Sequence, residues 1–419
     1  MRFLHLADLH FGKSIYGTSL LENGDQPAWV ERFLALTEEL RPDAVVIAGD
    51  VYDRGAPSGD AVQLLSRMLT SLSELHIPVL MCAGNHDSVQ RLSFLNSLLA
   101  REGLHISGAL SASPLLRSVT LSDEHGPVTF WLMPYVYPAL IGQVIGEDSL
   151  RDSDAAVREL LSRQPIDYAQ RNVLIAHQNV TAGGTEGERG GSESMVGGVG
   201  QIDYTAFDGF DYTALGHIHA AYPVGRDAVR YAGSPLCYHF NETKQKAKGP
   251  LLVELGEKGA PVRVETLHIP PLHPMREICG AFEDIRDAQL HDTRRGEYLR
   301  IVLTDRRVSP EISAFFHELY QSRDSVLMEL CSDYTQFSGE AGVLSRGDLE
   351  EKSVDNLFCD FYTERSGGVP PTDEDAALLG FAGEILQHAE PHAAPTAAEI
   401  EKLLDYLTGQ EAGHETGIS

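Results

Sequence analysis

Carboxylate, amide and imidazole side chains recur in five short motifs of this sequence. The motifs are D-x-H with Asp8 and His10, GDxxD with Asp50 and Asp53, GNHD with Asn85, His86 and Asp87, a single His177, and GHIH with His217 and His219. Such ligands favour Mn²⁺, Fe²⁺ or Zn²⁺, and no thiolate accompanies them to select strongly for zinc. Two cations about 4 Å apart clamp a phosphate and generate a hydroxide nucleophile. The residue types therefore predict a dinuclear metal centre for phosphate-ester hydrolysis.

Each motif directly follows a short apolar run that predicts a β-strand. The predicted strands cover residues 2–7, 43–48, 78–82, 128–132, 172–176 and 212–215. Ligands of α/β sheets bind beyond the carboxyl ends of the strands, so the loops can converge on one site. Gly49, Gly84 and Gly216 let the backbone turn sharply just before each ligand. Asp50, between Gly49 and a tight turn, is the expected bridging carboxylate.

Amphipathic stretches separate the predicted strands, at residues 28–40, 59–75 and 89–100. Asp87 and Ser88 precede the third stretch as candidate N-caps. This alternation predicts a layered α/β fold with a mixed sheet and helices outside it. Residues 275–331 repeat the alternation as strand, helix, strand, helix, strand, and predict a small separate α/β module.

The sequence predicts five segments. They are a layered α/β domain at 1–270, a small α/β domain at 271–334, a linker at 335–372, a helical segment at 373–410 and a tail at 411–419. Gly367-Gly368 and Pro370-Pro371 mark the linker. The two short helices expected after it cannot form a core alone. They either dock on their own protein or bind another chain.

The composition limits the partners. The net charge of −28 opposes long-range attraction to DNA, whose binding depends on Lys and Arg. A local basic patch, the metals or a partner must overcome this repulsion. Candidate DNA contacts are Lys13, Arg54 and Arg91, together with the cluster Lys244, Lys246 and Lys248, which is otherwise a solvated hairpin.

The cysteines and the apolar runs suggest a cytoplasmic protein. The five cysteines are scattered without a C-x-x-C pair, so we expect reduced thiols rather than a disulfide framework or a zinc site. No run of 18 apolar residues is present to span a membrane. Asp8 interrupts the N-terminal segment where a signal peptide requires apolar residues.

The five motifs in this order resemble the signature of the calcineurin-like metallophosphoesterases, over about the first 220 residues. The glycine-rich VGGVGQID, the FDGFDYTALGHIH that follows it and the later YAGSP resemble the SbcD-type nuclease subunits, a family of double-strand-break repair nucleases. The resemblance implies a layered metallophosphoesterase fold with mixed central sheets and flanking helices. It also implies that residues 1–270 are a metallophosphoesterase nuclease domain, that residues 271–334 are a small α/β capping domain for DNA binding, and that the C-terminal helices bind a partner.

The resemblance also implies a role for each motif residue. One metal is held by Asp8, His10, Asp50 and His219, and the second by Asp50, Asn85, His177 and His217. Both are divalent, with Mn²⁺ as the expected ion. His86 resembles the family's catalytic histidine, which protonates the leaving 3′-oxygen or stabilises the transition state. Asp53 is expected to orient His86 through a ring nitrogen.

For the activity and partners, the resemblance implies a double-stranded DNA exonuclease and single-strand or hairpin endonuclease in repair, recombination and replication. It implies an SbcC-type ABC ATPase with a coiled coil, bound through residues 373–410. No G-x-x-x-x-G-K-[ST] motif occurs, so an ATPase is a separate chain. A homodimer within a heterotetramer is expected to form through the apolar stretches 62–75 and 89–99.

Two other functions compete with the nuclease. GDVYDRG also resembles the motif of phosphomonoesterases and protein phosphatases, but those enzymes typically carry GNHE where this sequence has Asp87. An inactive scaffold acting through its C-terminal helices is the second alternative. A scaffold would normally have lost metal ligands, and none is lost here.

Overall fold

The computed structural model describes residues 1–110, 115–147, 149–184, 200–244, 248–334 and 372. The predicted helical segment 373–410, the tail and all of the predicted linker except Thr372 lie outside these residues, as do Lys246 and Cys359. Within the described residues, no helix is both long and apolar enough to cross a bilayer.

The strands of the described residues are numbered along the chain. They are β1 (Arg2–Leu6), β2 (Ser14–Ile15), β3 (Thr18–Ser19), β4 (Ala44–Ala48), β5 (Val79–Cys82), β6 (Leu104–Ser107), β7 (Arg117–Asp123), β8 (Gly126–Met133), β9 (Arg171–His177), β10 (Val180–Thr181), β11 (Ile202–Asp203), β12 (Tyr212–Gly216), β13 (Pro223–Val224), β14 (Arg226–Tyr231), β15 (Leu251–Glu254), β16 (Arg263–Thr266), β17 (Met275–Gly280), β18 (Tyr298–Leu303) and β19 (Val326–Ser332).

The α-helices are numbered in the same way. They are α1 (Asp25–Leu40), α2 (Gly59–Glu74), α3 (Val89–Leu92), α4 (Asn96–Leu99), α5 (Pro138–Ile145), α6 (Ser153–Ser162), α7 (Phe282–His291) and α8 (Pro310–Gln321). Short 3₁₀ segments lie at Ala100–Glu102, Tyr204–Phe207 and Phe240–Lys244.

Two six-stranded mixed sheets form the larger part of the molecule. The first has the order β16-β15-β1-β4-β5-β6, with β1, β4, β5 and β6 parallel to one another. The second has the order β13-β14-β12-β9-β8-β7, with β14, β12, β9 and β8 parallel. All six strands predicted from the sequence are present, and the mixed layered fold is confirmed.

Apolar side chains from both sheets meet in a buried layer that includes Phe3, Val46, Leu80, Phe130 and Val173. Helices α1 and α2 cover the outer face of the first sheet, and α5 and α6 cover that of the second. Strands buried on both faces explain why β4 and β9 are nearly continuous apolar runs. The result is a helix–sheet–sheet–helix sandwich, in which the parallel strands of both sheets can deliver loops to one edge.

The third predicted helix, at 89–100, is wrong as a continuous element. The chain forms two single turns, α3 and α4, because Leu95 between them takes a left-handed φ of 59°. Ser88 stands at the N-cap of α3 but makes no side-chain cap hydrogen bond. The expected cap is absent, and the break leaves Phe94 and Leu98 70% and 59% exposed.

The predicted module at 275–331 has the expected element order. Strands β17, β18 and β19 form a parallel sheet, and α7 and α8 cover it around a core that includes Leu299 and Phe316. Tyr298 joins this module to the sandwich, because its hydroxyl donates to Asp25 at the start of α1 over 2.5 Å. His273 Nδ1 lies 3.0 Å from the same carboxylate.

Candidate metal centre

The five motifs meet at one edge, between the two sheets. Strands β1, β4 and β5 of the first sheet lead to Asp8, Asp50 and Asn85, and β9 and β12 of the second lead to His177 and His217. Buried groups of potential ligand atoms lie within 4.8 Å of one another; they are Asp8 with His10 and His219, and Asp8 with Asp50 and His177. The convergence expected from strand ends is therefore present.

Bent backbone brings the first sheet's ligands to this edge. Asp8, His10 and Asp50 adopt φ angles of 54°, 43° and 48°, in the left-handed region that disfavours side chains by about 1–2 kcal/mol per residue. Hydrogen bonds from the Asp8 amide to the Gly49 carbonyl (3.1 Å) and from the His10 amide to the Asp50 carbonyl (2.9 Å) hold the two loops together. Strain of this kind concentrates at functional sites.

Two glycines permit the close approach of these loops. Gly49 has a φ of +83°, and any Cβ there would overlap the His177 ring. A Cβ on Gly84 would lie 2.7 Å from the Asp50 carboxyl carbon. Gly49 supplies the expected sharp turn, whereas Gly84 supplies room for the neighbouring carboxylate.

The Asp50 carboxylate lies between the two halves of the site. Its Oδ2 is 3.3 Å from His177 Nε2 and 3.6 Å from His10 Nε2, while its Oδ1 accepts from the His86 amide over 2.9 Å. One oxygen thus faces proposed ligands of both metals, as expected of a carboxylate that bridges through a single oxygen.

The Asn85 side-chain oxygen is a second point of convergence. It lies 3.0 Å from His177 Nε2 and 3.2 Å from His217 Nδ1. His177 Nδ1 lies 2.9 Å from the carbonyl of Ala48. When Nδ1 donates to that carbonyl, the Nε2 lone pair is left to face Asn85 and Asp50, which is the arrangement of a metal-ligating imidazole.

Burial and mutual charge perturb these groups in opposite directions. Burial raises the pKa of Asp8 to about 6 and lowers the pKa of His10 to about 4. Although burial opposes ionisation, His177 holds the pKa of Asp50 well below its usual range. Burial also disfavours the His177 cation, but Asp50 raises the pKa of His177 to about 9.

The residues present fit a pair of divalent cations. Both ring nitrogens of His10 are buried without a hydrogen-bond partner, although the Asp50 and Asp53 carboxylates lie 3.6 and 3.3 Å away. Buried polar atoms normally have a partner. A cation bound to one ring nitrogen of His10 would satisfy that atom and offset the negative charge of Asp8 and Asp50.

Asp53 contacts His86 differently from the expectation. The His86 Nδ1 lies 2.9 Å from the peptide oxygen of Asp53, not from its carboxylate. The carboxylate instead accepts from Lys13 over 2.7 Å and lies 3.3 Å from His10 Nδ1. Burial raises the pKa of Asp53, yet the nearby His10 ring and the hydrogen bond from Lys13 lower it well below its usual range. Asp53 therefore acts on His10 through its side chain and on His86 through its backbone.

Asp87, expected only as a candidate helix N-cap, ties two of the motifs together. Its carboxylate accepts from the amides of Val51 (3.1 Å), Tyr52 (2.9 Å) and Gly84 (2.9 Å). The GNHD and GDxxD loops are thereby fixed side by side. The position of Asp87 at the end of the GNHD motif was the sequence signal that could have indicated this role.

The candidate DNA contacts occupy different surroundings. Lys13 is largely buried against Asp53, whereas Arg54 is exposed beside it and Arg91 is exposed on α3. Lys244 is exposed and pairs with Glu277, but Lys248 is mostly buried against Glu242. Lys244 and Lys248 therefore do not form one solvated patch.

A family model for the calcineurin-like phosphoesterases matches residues 1–221, more than half of the chain. The chain belongs to this family. As a calcineurin-like phosphoesterase it is a metal-dependent hydrolase of phosphoester bonds. A second model, SbcD_C, described as the type 5 capsule protein repressor C-terminal domain, matches residues 271–366. The two matches in this order support an SbcD-type nuclease subunit.

Among solved structures, this calcineurin-like phosphoesterase is similar to the protein TT1561 of Thermus thermophilus. The two share 12% sequence identity and a TM-score of 0.36, over 63% of this chain and 98% of the other.

Proposed function

We propose that this protein is a DNA nuclease that hydrolyses phosphodiester bonds at a pair of divalent cations, with Mn²⁺ as the preferred ion. The observation that carries the proposal is the convergence of Asp50 Oδ2 and Asn85 Oδ1 on imidazoles from both sheets. One cation would be held by Asp8, His10, Asp50 and His219. The other would be held by Asp50, Asn85, His177 and His217.

Such cations supply Lewis acidity toward the phosphate and an activated water as the nucleophile. The protein contributes the rest. Asp50 holds the two ligand sets at a fixed separation, while its second oxygen positions the His86 amide. His86, half-buried at the rim with Nδ1 against the Asp53 carbonyl, offers Nε2 to the leaving 3′-oxygen as a proton donor.

The phosphodiester specificity rests on the second domain match and on Asp87. The SbcD_C match supports a nuclease subunit rather than a phosphomonoesterase. Incubation of end-labelled linear duplex DNA with the protein and Mn²⁺ should release nucleotides progressively, and hairpin DNA should be nicked. Asp50→Ala, purified identically, controls for contaminating nucleases. Rapid hydrolysis of p-nitrophenyl phosphate with no DNA cleavage would favour the phosphatase.

We also propose that the exposed apolar surface of Phe94, Leu95 and Leu98 forms a two-fold contact between copies of the chain. Their exposure departs from the normal burial of such residues. Leu98→Glu should convert a dimer into a monomer in sedimentation at micromolar concentration. A wild-type protein that is monomeric with and without its partner would contradict this.

Residues 373–410, which lie outside the described part of the chain, are proposed to bind the coiled coil of an SbcC-type ATPase as an amphipathic helical pair. Truncation after Pro371 should abolish co-purification with the ATPase and leave Mn²⁺-dependent cleavage of short DNA. Retained complex formation would exclude these helices as the binding segment.

A further inference from the structure

A buried ion pair lies directly behind one of the proposed metal ligands. Glu242, 1% exposed, places Oε2 2.8 Å from the ammonium of Lys248. Its other oxygen, Oε1, lies 3.6 Å from Nδ1 of His219. Neither charged residue belongs to the five motifs, and taking two charges out of water costs several kcal/mol per ion. A pair buried at this position therefore needs a functional or structural reason.

The hydrogen bonds of this pair point toward His219 from two sides. Lys248 Nζ donates to the carbonyl of His219 over 2.8 Å and to Ser234 Oγ over 2.7 Å. Glu242 Oε2 also accepts from the amide of Tyr238 over 3.2 Å. The Tyr238 hydroxyl donates to the Leu9 carbonyl over 2.8 Å, within the D-x-H motif. The main chain of His219 is thus held by Lys248, while its ring faces Glu242.

A metal-ligating imidazole must present a lone pair from a defined ring nitrogen. A carboxylate next to one nitrogen fixes the proton there, orients the ring and makes the other nitrogen a stronger ligand. Glu242 stands at Nδ1, so Nε2 is the atom of His219 left for Asp8 and His10, with which His219 groups. At the equivalent place, His177 Nδ1 lies 2.9 Å from the Ala48 carbonyl, with an Asp8 oxygen further away at 3.9 Å.

We propose that Glu242 is a positioning residue for His219, and that Lys248 holds the Glu242 carboxylate in place and anchors the His219 main chain. Glu242 sets the ring orientation and the donor strength of His219 at the first cation. It does not touch the cation or the substrate. The proposal rests on the proposed function, since it requires His219 to bind a metal.

The test is Mn²⁺ binding to the full-length protein by calorimetry, with the bound-ion spectrum followed by electron paramagnetic resonance. Loss of an outer-shell partner typically reduces metal affinity by about 10–100-fold. Glu242→Gln should therefore weaken one of the two sites by that factor and leave the other unchanged. Two sites of wild-type affinity in Glu242→Gln would overturn the proposal.

The double variant Glu242→Gln/Lys248→Met separates positioning from charge balance. It removes both charges. If Glu242 merely neutralises Lys248, Mn²⁺ binding should be restored at both sites, and that result would overturn the proposal. Positioning predicts that one site remains weakened. If Glu242→Gln alone does not fold, the Mn²⁺ affinities of the double variant test the proposal in its place. If both variants fail to fold, the pair is structural and the proposal falls.

Asp123→Asn is the matched control. Asp123 forms a buried pair with Arg171, which begins the strand that ends at His177, about 20 Å from the metal centre at 3.3 Å per residue. This variant should lose stability and keep both metal sites. Equal weakening of a site in Asp123→Asn would mark the effect as general destabilisation and overturn the proposal. A wild-type protein without two Mn²⁺ sites would overturn the proposed function itself, whereas wild-type affinity in Glu242→Gln removes only the role of Glu242.

Discussion

The two sheets contribute to the metal centre in different ways. The first sheet supplies two short carboxylates, an amide and the imidazole of His10, and its loops bend through positive φ angles at Asp8, His10 and Asp50 to bring these candidate ligands together. The second sheet supplies His177 as the last residue of a regular strand, with its ring fixed by a carbonyl from the opposite sheet. His217, which follows β12 of the second sheet, also has a positive φ, of 105°. Its amide donates a hydrogen bond to Asp8 over 3.0 Å.

The difference follows from the reach and chemistry of the ligands. A carboxylate binds from either oxygen but is short, so the backbone must carry it to the ion. An imidazole reaches further but must have its proton placed on the correct nitrogen by an acceptor behind it. We therefore expect substitution of the first sheet's carboxylates to abolish metal binding. Substitution of the acceptors behind the imidazoles should only alter the metal affinity.

Asp50→Ala should have the largest effect. Asp50 faces His10 and His177 with one oxygen, so its removal takes the shared ligand from both cations. Both Mn²⁺ ions and the nuclease activity should be lost together, by more than the 10²–10⁴-fold typical of a missing general acid. Calorimetry and DNA cleavage measure the two losses. Full occupancy of both Mn²⁺ sites in this variant would show that Asp50 is not the ligand that holds the two cations.

His86→Gln should reduce cleavage by about 10²–10⁴-fold with near-normal Mn²⁺ binding. The His86 amide, which donates to Asp50, is unchanged by this substitution, so the loop should stay in place. Hydrolysis of bis-p-nitrophenyl phosphate, whose leaving group needs little protonation, should suffer less. If an ion is lost with the imidazole, His86 is a ligand rather than the proton donor.

Asp53→Asn should have a smaller effect, now expected at the metal rather than at the leaving group. The carboxylate contacts His10 and Lys13, and the peptide oxygen that contacts His86 survives the change. Mn²⁺ affinity should fall by about 10–100-fold, with turnover at saturating Mn²⁺ close to wild type. Slow turnover at full occupancy would instead support the orientation of His86 by Asp53.

Asp123→Asn should affect stability and leave saturated activity unchanged. The hydrogen bond from Arg171 lowers the pKa of Asp123 well below its ordinary value of 3.8, against the opposing effect of burial. The stabilisation is therefore present above about pH 4 and is lost as the pH falls toward the folded-state pKa. Breaking a buried pair costs about 3 kcal/mol. Thermal unfolding should show that difference at pH 7 and a smaller one near pH 3; a constant difference would refute the ionic contribution.

Much of this fold could be predicted from local pattern. Runs such as AVVIA in β4 are buried on both faces and stay recognisable as strands wherever they pack. The division of the strands between two sheets was not predictable, because apolar runs of either sheet look alike. The break at Leu95 was also hidden, since a left-handed residue leaves the apolar spacing around it unchanged.

The candidate site, like the fold, could be predicted only in part. The convergence of the residues at the strand ends was predictable because parallel strands deliver their loops to one edge. The direction of a side chain within that edge was not, as the Asp53 carboxylate shows by turning to His10. Glu242 and Lys248 were hidden for a different reason. In NETKQKAK they resemble solvated charges, and only tertiary packing buries them behind His219.

Anomalous diffraction at the manganese edge, on crystals grown with Mn²⁺, would locate the two proposed cations. Two peaks per chain are expected, about 4 Å apart. One should lie among Asp8, His10 and His219, the other among Asn85, His177 and His217, with Asp50 touching both. A single peak, or two peaks that share no Asp50 oxygen, would contradict this expectation.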